Sequence, residues 1–185
     1  MSAAWKKRFV SQSDLLTLGE QLKERGKKVV FTAGSWDLMH VGQVRYLEIA
    51  KSHGDILVVG VSSNDAIKRV KGPNKPILDE NVRAEVVASL RAVDFVTLLP
   101  EPSCVPTLGL LRPDVYIIPE EEWASDYKNS KEYKTVTKYG GQVLVIQRQS
   151  TAISTSKIVQ RAIGAHLGEV FKEFVELRKT PLKDR

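Results

Sequence analysis

The segment "VVFTAGSWDLMHVGQVRYLEIAKSHGDILVVGV", residues 29–61, carries the pattern that decides the fold. Two apolar, β-branched runs stand at its ends, and a stretch with helical spacing lies between them. The apolar runs are too continuous for strands with one face in water, so we expect them to be buried on both faces. The segment therefore predicts a strand–helix–strand unit of a parallel sheet.

The same alternation of apolar runs and helical patterns extends in both directions from this segment. A helical pattern at 11–25 precedes it, and further apolar runs follow at 94–100, 113–119 and 142–148. This order predicts an α/β fold, a doubly wound five-stranded parallel sheet with helices on both faces. We expect one domain over residues 1–163, followed by a C-terminal helical extension over residues 164–185.

The composition favours an anionic small molecule as the ligand. The 185 residues include 28 Lys and Arg against 22 Asp and Glu, a formal net charge of +6 that suits phosphates. Aromatic residues make up only 7% of the chain, and it has no Cys/His finger or basic repeat, so we expect no nucleic-acid partner.

The sequence carries no signal for a membrane, a secretory route or a bound metal. No apolar run approaches the roughly 18 residues of a membrane span, and the N-terminus lacks the apolar core of a signal peptide. Cys104 is the single cysteine, so neither an intrachain disulfide nor a cysteine metal site is indicated. We expect a cytoplasmic protein with no metal-ligating side chains.

The turn after the first strand is the main candidate for a ligand site, because ligands in open parallel sheets bind beyond the carboxyl ends of strands. Gly34 and Gly42 would let the backbone approach a ligand, and the following helix start favours an anion. His40, with Asp37 three residues before it, could donate to phosphate oxygens. The alternative is that His40 only caps the helix or packs. The turn contains neither G-x-G-x-x-G nor a P-loop sequence.

The turn after the last strand, "ISTSK" at 153–157, is a second candidate. Ser154 or Thr155 could cap a helix, and Lys157 would lie in its first turn, where positive charge opposes the helix dipole. An anion bound there would offset that opposition. A plain helix cap is the alternative.

These stretches together resemble the cytidylyltransferase-like nucleotidyltransferases. The segment from Phe31 to Val96 carries the main likeness, and "RPDVYII" and "GGQVLVIQRQSTAISTSKI" extend it to about residues 25–163. The sequence is most similar to the heptose-1-phosphate adenylyltransferase branch, with glycerol-3-phosphate cytidylyltransferase and archaeal FAD synthetase as near relatives.

The resemblance implies a Rossmann-like fold, a homodimer and a reaction that requires Mg²⁺. In that reaction ATP or CTP transfers its nucleoside monophosphate to a phosphorylated sugar or polyol, and pyrophosphate leaves. The protein forms no covalent intermediate, so it acts by positioning and by stabilising charge.

The resemblance also assigns roles to particular residues. The catalytic assignments are His40, Gln43 and Lys71. The nucleotide-binding assignments are Thr32, Ala33, Gly34, Gly42, Arg83, Ser154, Thr155 and Ser156. The substrate-binding assignments are Asp37, Lys68, Lys75 and Arg148.

Three positions depart from the family pattern. Gln43 stands where relatives have a second histidine, and a neutral amide can donate a hydrogen bond but carries no charge. The segment "IIPEEEW", 117–123, replaces a Lys-Gly-Gly-Asp stretch, and Gln149 stands where an ungapped match has arginine. Two hypotheses follow: an active nucleotidyltransferase with a shifted substrate, or a degenerate member that binds a nucleotide or metabolite as a regulator or partner subunit.

Overall fold

A computed structural model of the chain describes residues 4–120, 126–147, 149 and 153–179, with side chains up to residue 172 in the last range. The chain forms two compact units, Met1–Gln149 and Ser150–Arg185, which are taken separately below. The division predicted between residues 163 and 164 falls inside a helix of the second unit, which runs without a break from Thr155 to Lys179.

The first unit is built on one sheet of five parallel strands. The strands are β1 (Val29–Gly34), β2 (Ile56–Ser62), β3 (Phe95–Leu99), β4 (Val115–Pro119) and β5 (Gln142–Ile146). Their order across the sheet is β3-β2-β1-β4-β5. The predicted α/β fold with a five-stranded parallel sheet is confirmed.

Helices connect these strands in the predicted places. In the described part of the first unit they are α1 (Leu15–Glu24), α2 (Val41–Ser52), α3 (Asn64–Lys71), α4 (Glu80–Ala88), α5 (Val105–Leu111) and α6 (Lys131–Lys138). Short 3-10 turns occur at Ala4–Arg8, Gln12–Asp14 and Tyr127–Asn129. His40 takes the N-cap position of α2.

Helices cover both faces of the sheet, as the buried strands predict. Successive residues of a strand point to opposite faces. Val30 therefore packs in one buried cluster with Leu47 and Val87, while its neighbour Phe31 packs in the other with Leu108.

The second unit contains helix α7 (Thr155–Lys179). Ser154 precedes it, and its Oγ accepts a hydrogen bond from the backbone N–H of Lys157 at 3.2 Å. This is the side-chain cap that the sequence offered as one of two interpretations of the segment. Over the residues that the structure describes, no helix has the length and apolar character needed to cross a membrane.

Cys104 is buried, with Sγ 3.3 Å from the Tyr116 hydroxyl. Burial raises the pKa of the thiol to about 12. Only the thiolate is an effective nucleophile, so the folded protein should react with the thiol reagent DTNB far more slowly than the unfolded protein does. The measurement is thiol release with and without urea, and rapid labelling of the native protein would contradict this placement of Cys104.

Candidate active site

Strands β1 and β4 part at the carboxyl edge of the sheet, and the gap between their ends is called the crevice below. Pairing between them ends at Thr32 and Ile117, whereas β1 stays paired with β2 as far as Gly34 and Val61. Strand order also reverses here, since the chain builds outward from β1 to β3 and then returns to the other side of β1 with β4. Such a switch point is where open α/β sheets bind ligands.

The turn that follows β1 is held in an unusual backbone conformation. Trp36 and Leu38 have positive φ angles of 53° and 39°, which L-residues rarely adopt. The Trp36 side chain is buried and its Nε1 donates to the Gly60 carbonyl of β2 at 2.9 Å. A Cβ at Gly34 would lie 3.1 Å from the Trp36 ring, so a glycine lets the turn fold back tightly over the strand end.

His40 and Gln43 stand together at the start of α2. His40 is the N-cap residue, and its backbone N–H donates to Gln43 Oε1 at 3.0 Å. This is the N3 half of a capping box, a role that Gln fills well. Because Oε1 accepts this bond, the two N–H groups of the same amide are the part of Gln43 that could donate to a ligand.

The beginning of α2 also supplies backbone donors. The first N–H groups of a helix have no carbonyl partner within the helix, and its dipole adds partial positive charge there. Gly42, at the second helical position, is buried and brings no side chain to this surface. The helix start can therefore receive an anion at the carboxyl edge of the sheet.

Asp37 ties this turn to the loop between α3 and α4. Its carboxylate oxygens accept from the backbone N–H groups of Ile77 at 2.8 Å and Leu78 at 3.0 Å, and the residue is 6% exposed. These bonds give Asp37 a clear structural role. Its assignment to substrate binding stays a prediction.

Arg83 donates hydrogen bonds to the same loop from the other side. Its side chain is fully buried, Nε donates to the Leu78 carbonyl at 3.0 Å, and the two terminal nitrogens donate to the Ser35 carbonyl and to Asn64 Oδ1. Burial lowers the pKa of the guanidinium, while the nearby Asp37 carboxylate acts in the opposite direction. With no exposed surface, Arg83 could contact a nucleotide only if the loop moved, so its nucleotide-binding assignment stays a prediction.

The predicted lysines differ in their contacts. Lys71 ends α3, and its Nζ donates to Ser35 Oγ at 3.2 Å, which brings this cation to the turn that contains His40. Lys68 is exposed and lies 3.7 Å from Asp65, whereas Lys75 is half-buried in the loop held by Arg83. The catalytic assignment of Lys71 and the substrate-binding assignments of Lys68 and Lys75 stay predictions.

The remaining assignments fall into three groups. The Thr32 hydroxyl is buried and lies 2.9 Å from the Tyr46 hydroxyl, which in turn donates to the Ile117 carbonyl at 3.2 Å. Ala33 and Gly34 form the strand end at the crevice. Ser154, Thr155 and Ser156 belong to the second unit, and Arg148 and most of the acidic 120–122 segment lie outside the described residues.

Sequence reasoning missed the side chains that support this site. Asn64 links the starts of two helices: its Nδ2 donates to Asp79 Oδ2 at 2.8 Å, and its backbone N–H donates to Glu80. Tyr46 links α2 to β1 through the Thr32 hydroxyl and to β4 through the Ile117 carbonyl. A polar residue at the helix start that follows a buried strand was an available signal for Asn64, whereas only the fold brings Tyr46 to Thr32.

Among the described residues, no group of three His, Cys, Asp or Glu side chains is placed to hold a metal ion. Both Asp37 oxygens already accept backbone hydrogen bonds. Mg²⁺ commonly keeps several waters and binds through substrate phosphates with one or two carboxylates. This part of the chain therefore suits Mg²⁺ that arrives on a phosphate ligand better than Mg²⁺ held in a protein cage.

Comparison with known proteins gives a consistent result. The cytidylyltransferase-like family model matches residues 31–161. The bifunctional protein HldE of Geobacter metallireducens is 36% identical over 147 residues, covering 80% of this chain and 29% of its own length. The HldE of Campylobacter jejuni strain 81116 is 39% identical over 125 residues, covering 68% of this chain and 25% of its own. The chain thus spans less than a third of the length of these curated relatives.

Two solved structures share the fold. A crystal structure of the lipopolysaccharide core biosynthesis protein from Thermoplasma volcanium has a TM-score of 0.54 and 28% identity, covering 66% of this chain and 97% of its own. Pantoate-beta-alanine ligase from Francisella tularensis has a TM-score of 0.53 and 15% identity, covering 78% of this chain and 68% of its own, and supports the fold alone.

The Arg83 contacts yield a stability prediction. Arg83→Met keeps most of the apolar stem but leaves the Ser35 and Leu78 carbonyls and Asn64 Oδ1 without this donor, so the free energy of unfolding should fall by about 3 kcal/mol. Urea denaturation measures it. The matched control, Arg91→Met at an exposed position, should change it by less than about 0.5 kcal/mol. Equal effects of the two substitutions would contradict the bridging role of Arg83.

Proposed function

Because the chain belongs to the cytidylyltransferase-like family, we propose that it is a nucleotidyltransferase. It transfers a nucleoside monophosphate from ATP or CTP to a phosphorylated sugar or polyol and releases pyrophosphate. The family resemblance also leads us to propose a cytoplasmic homodimer.

The start of α2 at the β1–β4 crevice is the observation that supports this proposal most strongly. Backbone N–H groups, His40 and the Gln43 amide lie at one helix start, and Lys71 reaches the same turn through Ser35. Donors and cations at this edge of the sheet suit a triphosphate.

The chemistry needs positioning more than reactive side chains. An oxygen of the acceptor phosphate forms a bond to the α-phosphorus, and the bond from that phosphorus to the bridging oxygen breaks, so pyrophosphate carries away the electron pair. Negative charge rises on the phosphate oxygens as this occurs. His40 and Lys71 stabilise that charge by donating to those oxygens, while the α2 N–H groups orient the triphosphate. When bound with the nucleotide, Mg²⁺ would neutralise part of the triphosphate charge.

The acceptor belongs to the class of phosphorylated sugars or polyols. Similarity to HldE proteins and to a lipopolysaccharide core biosynthesis protein supports a sugar phosphate. ATP is the preferred donor on the resemblance to the heptose branch. The segment after β4, beginning with the exposed Glu120, differs most from that branch in sequence and is the part that we expect to select the acceptor.

A second function, nucleotide binding without turnover, is favoured by Gln43. Where relatives use a second histidine, this chain has a neutral amide, and charge-assisted hydrogen bonds are roughly twice as strong as neutral ones. Such a protein would act as a regulator or a partner subunit.

The activity is tested by pyrophosphate release. We expect release from ATP or CTP with Mg²⁺ when a panel of sugar and polyol phosphates is supplied, and none without an acceptor. Calorimetric titration with each nucleotide runs in parallel. Nucleotide binding with no pyrophosphate from any acceptor would replace the proposed enzyme by the binding function.

His40→Ala should lower the turnover rate by about 100-fold or more, because a donor to the developing charge is lost. His53→Ala is the matched control at the other end of α2, and it should leave the rate within about twofold. Circular dichroism checks that both variants fold. Unchanged turnover in folded His40→Ala would reject the role given to this histidine.

Gln43→Glu separates capping from phosphate binding. Glutamate at N3 keeps an oxygen for the His40 N–H and suits a helix start, so thermal stability should be unchanged or higher. The amide donors become an anionic acceptor, so affinity for ATP should fall about tenfold or more. Gln21→Glu, exposed on α1, is the control. Wild-type affinity in Gln43→Glu would confine Gln43 to the capping role.

A further inference from the structure

A second cavity lies at the opposite edge of the sheet from the crevice. Its volume is about 320 Å³, and its walls include Val29, Asp114 and Gly141, which stand at or just before the first residues of β1, β4 and β5. It is therefore at the amino ends of the strands. The donors assigned above to phosphate binding lie at the carboxyl ends.

Three cations line this cavity: Lys23, Lys27 and Arg112. Within the described residues, none of them has a carboxylate oxygen within 4.0 Å. The two acidic residues of the lining are Glu20 and Asp114, and Asp114 Oδ2 already accepts from the Val29 N–H at 2.7 Å. The cavity thus carries more positive than negative charge.

Basic side chains often donate hydrogen bonds to the free carbonyls at the end of a helix. At the helix ends beside this cavity, backbone N–H groups donate to carbonyls of the last turn. The N–H of Lys27 donates to the Leu22 carbonyl at 2.9 Å, and the N–H of Arg112 donates to the Leu108 carbonyl at 3.0 Å. At the end of α6, the N–H of Gly141 donates to the Val136 carbonyl at 3.0 Å. The three cationic side chains remain available to a ligand.

Tyr139 adds a polar group to the same walls. Its hydroxyl is buried, and it has no hydrogen-bond partner within the described residues. Burial raises the pKa of this phenol, so it stays protonated at neutral pH and can donate. A buried hydroxyl normally has a partner, and this one has less than 1 Å² of accessible surface, so a ligand would reach it only after a small movement of the cavity wall.

The remaining lining is partly apolar, with Leu16, Leu111 and Pro113 among its members. We propose that this cavity is a second binding site, for a small phosphorylated molecule that also has an apolar part. A phosphate monoester carries about −1.5 to −2 charges at pH 7 and matches the cations, and the Arg112 guanidinium can engage two of its oxygens. The apolar part would contact the leucines and the proline. This inference is independent of the proposed enzymatic activity.

Phenyl phosphate is the probe, since it combines one phosphate with one apolar ring. Binding to the full chain is followed by calorimetry and by amide chemical shifts around residues 23–27, 112 and 139–141. Arg112→Asn removes the charge and tolerates the left-handed backbone at this position, where φ is 47°. The affinity should fall about tenfold. Tyr139→Phe should also weaken binding, and the amides that shift on addition of phenyl phosphate should be the same ones as in the wild type.

The controls separate this cavity from the crevice. Arg91→Asn removes an exposed charge elsewhere, and phenyl phosphate should bind this variant with wild-type affinity. The shifted amides tell the cavity from the crevice, because a ligand in the crevice would shift residues 40–43 at the start of α2. The proposal is overturned if the wild type shows no saturable binding below about 10 mM, if Arg112→Asn binds as the wild type does, or if the shifted amides lie at residues 40–43 and not around the cavity.

Discussion

The buried guanidinium of Arg83 is the interaction on which the carboxyl edge of the sheet depends. It contacts the turn after β1 through Ser35, the start of α3 through Asn64 and the α3–α4 loop through Leu78. Removing a guanidinium from water is costly, and hydrogen bonds to three acceptors together with the field of Asp37 offset that cost. Three segments far apart in sequence are thereby held in one arrangement.

Asp37 completes this arrangement from the opposite side of the loop. The backbone of Leu78 is held on both sides of its Cα, since its N–H donates to Asp37 and its carbonyl accepts from Arg83. The loop that carries Lys75 is therefore fixed relative to the turn that carries His40. Two charged residues that the family resemblance assigns to ligand binding thus also position the backbone around them, and their ligand-binding roles stay predictions.

The neutral amide of Gln43 has a similar double character. Its oxygen accepts a hydrogen bond from the His40 N–H at the start of α2. This contact leaves the two N–H groups of the amide available to a ligand. A histidine at this position could carry positive charge, and Gln43 cannot. The departure from the family pattern is therefore a change in the electrostatics of the site that preserves the geometry of the helix start.

Sequence by itself determined the sheet, because five apolar runs separated by helical patterns admit few other arrangements. It also determined the family, and it placed His40 in the turn before α2 with helix capping as one of two interpretations, since both depend on neighbouring residues. Its boundary for the C-terminal extension fell inside α7, where no local residue marks an end.

Only the tertiary structure decided which backbone groups the charged side chains contact. Asp37 and Ile77 are forty residues apart, and Arg83 and Ser35 forty-eight, so no local pattern could pair them. The cavity around Arg112 likewise joins α1, α5 and the end of α6, which the chain visits at widely separated points. Hydrogen bonding and burial depend on how close groups lie in space. For residues far apart in sequence, the fold alone sets that distance.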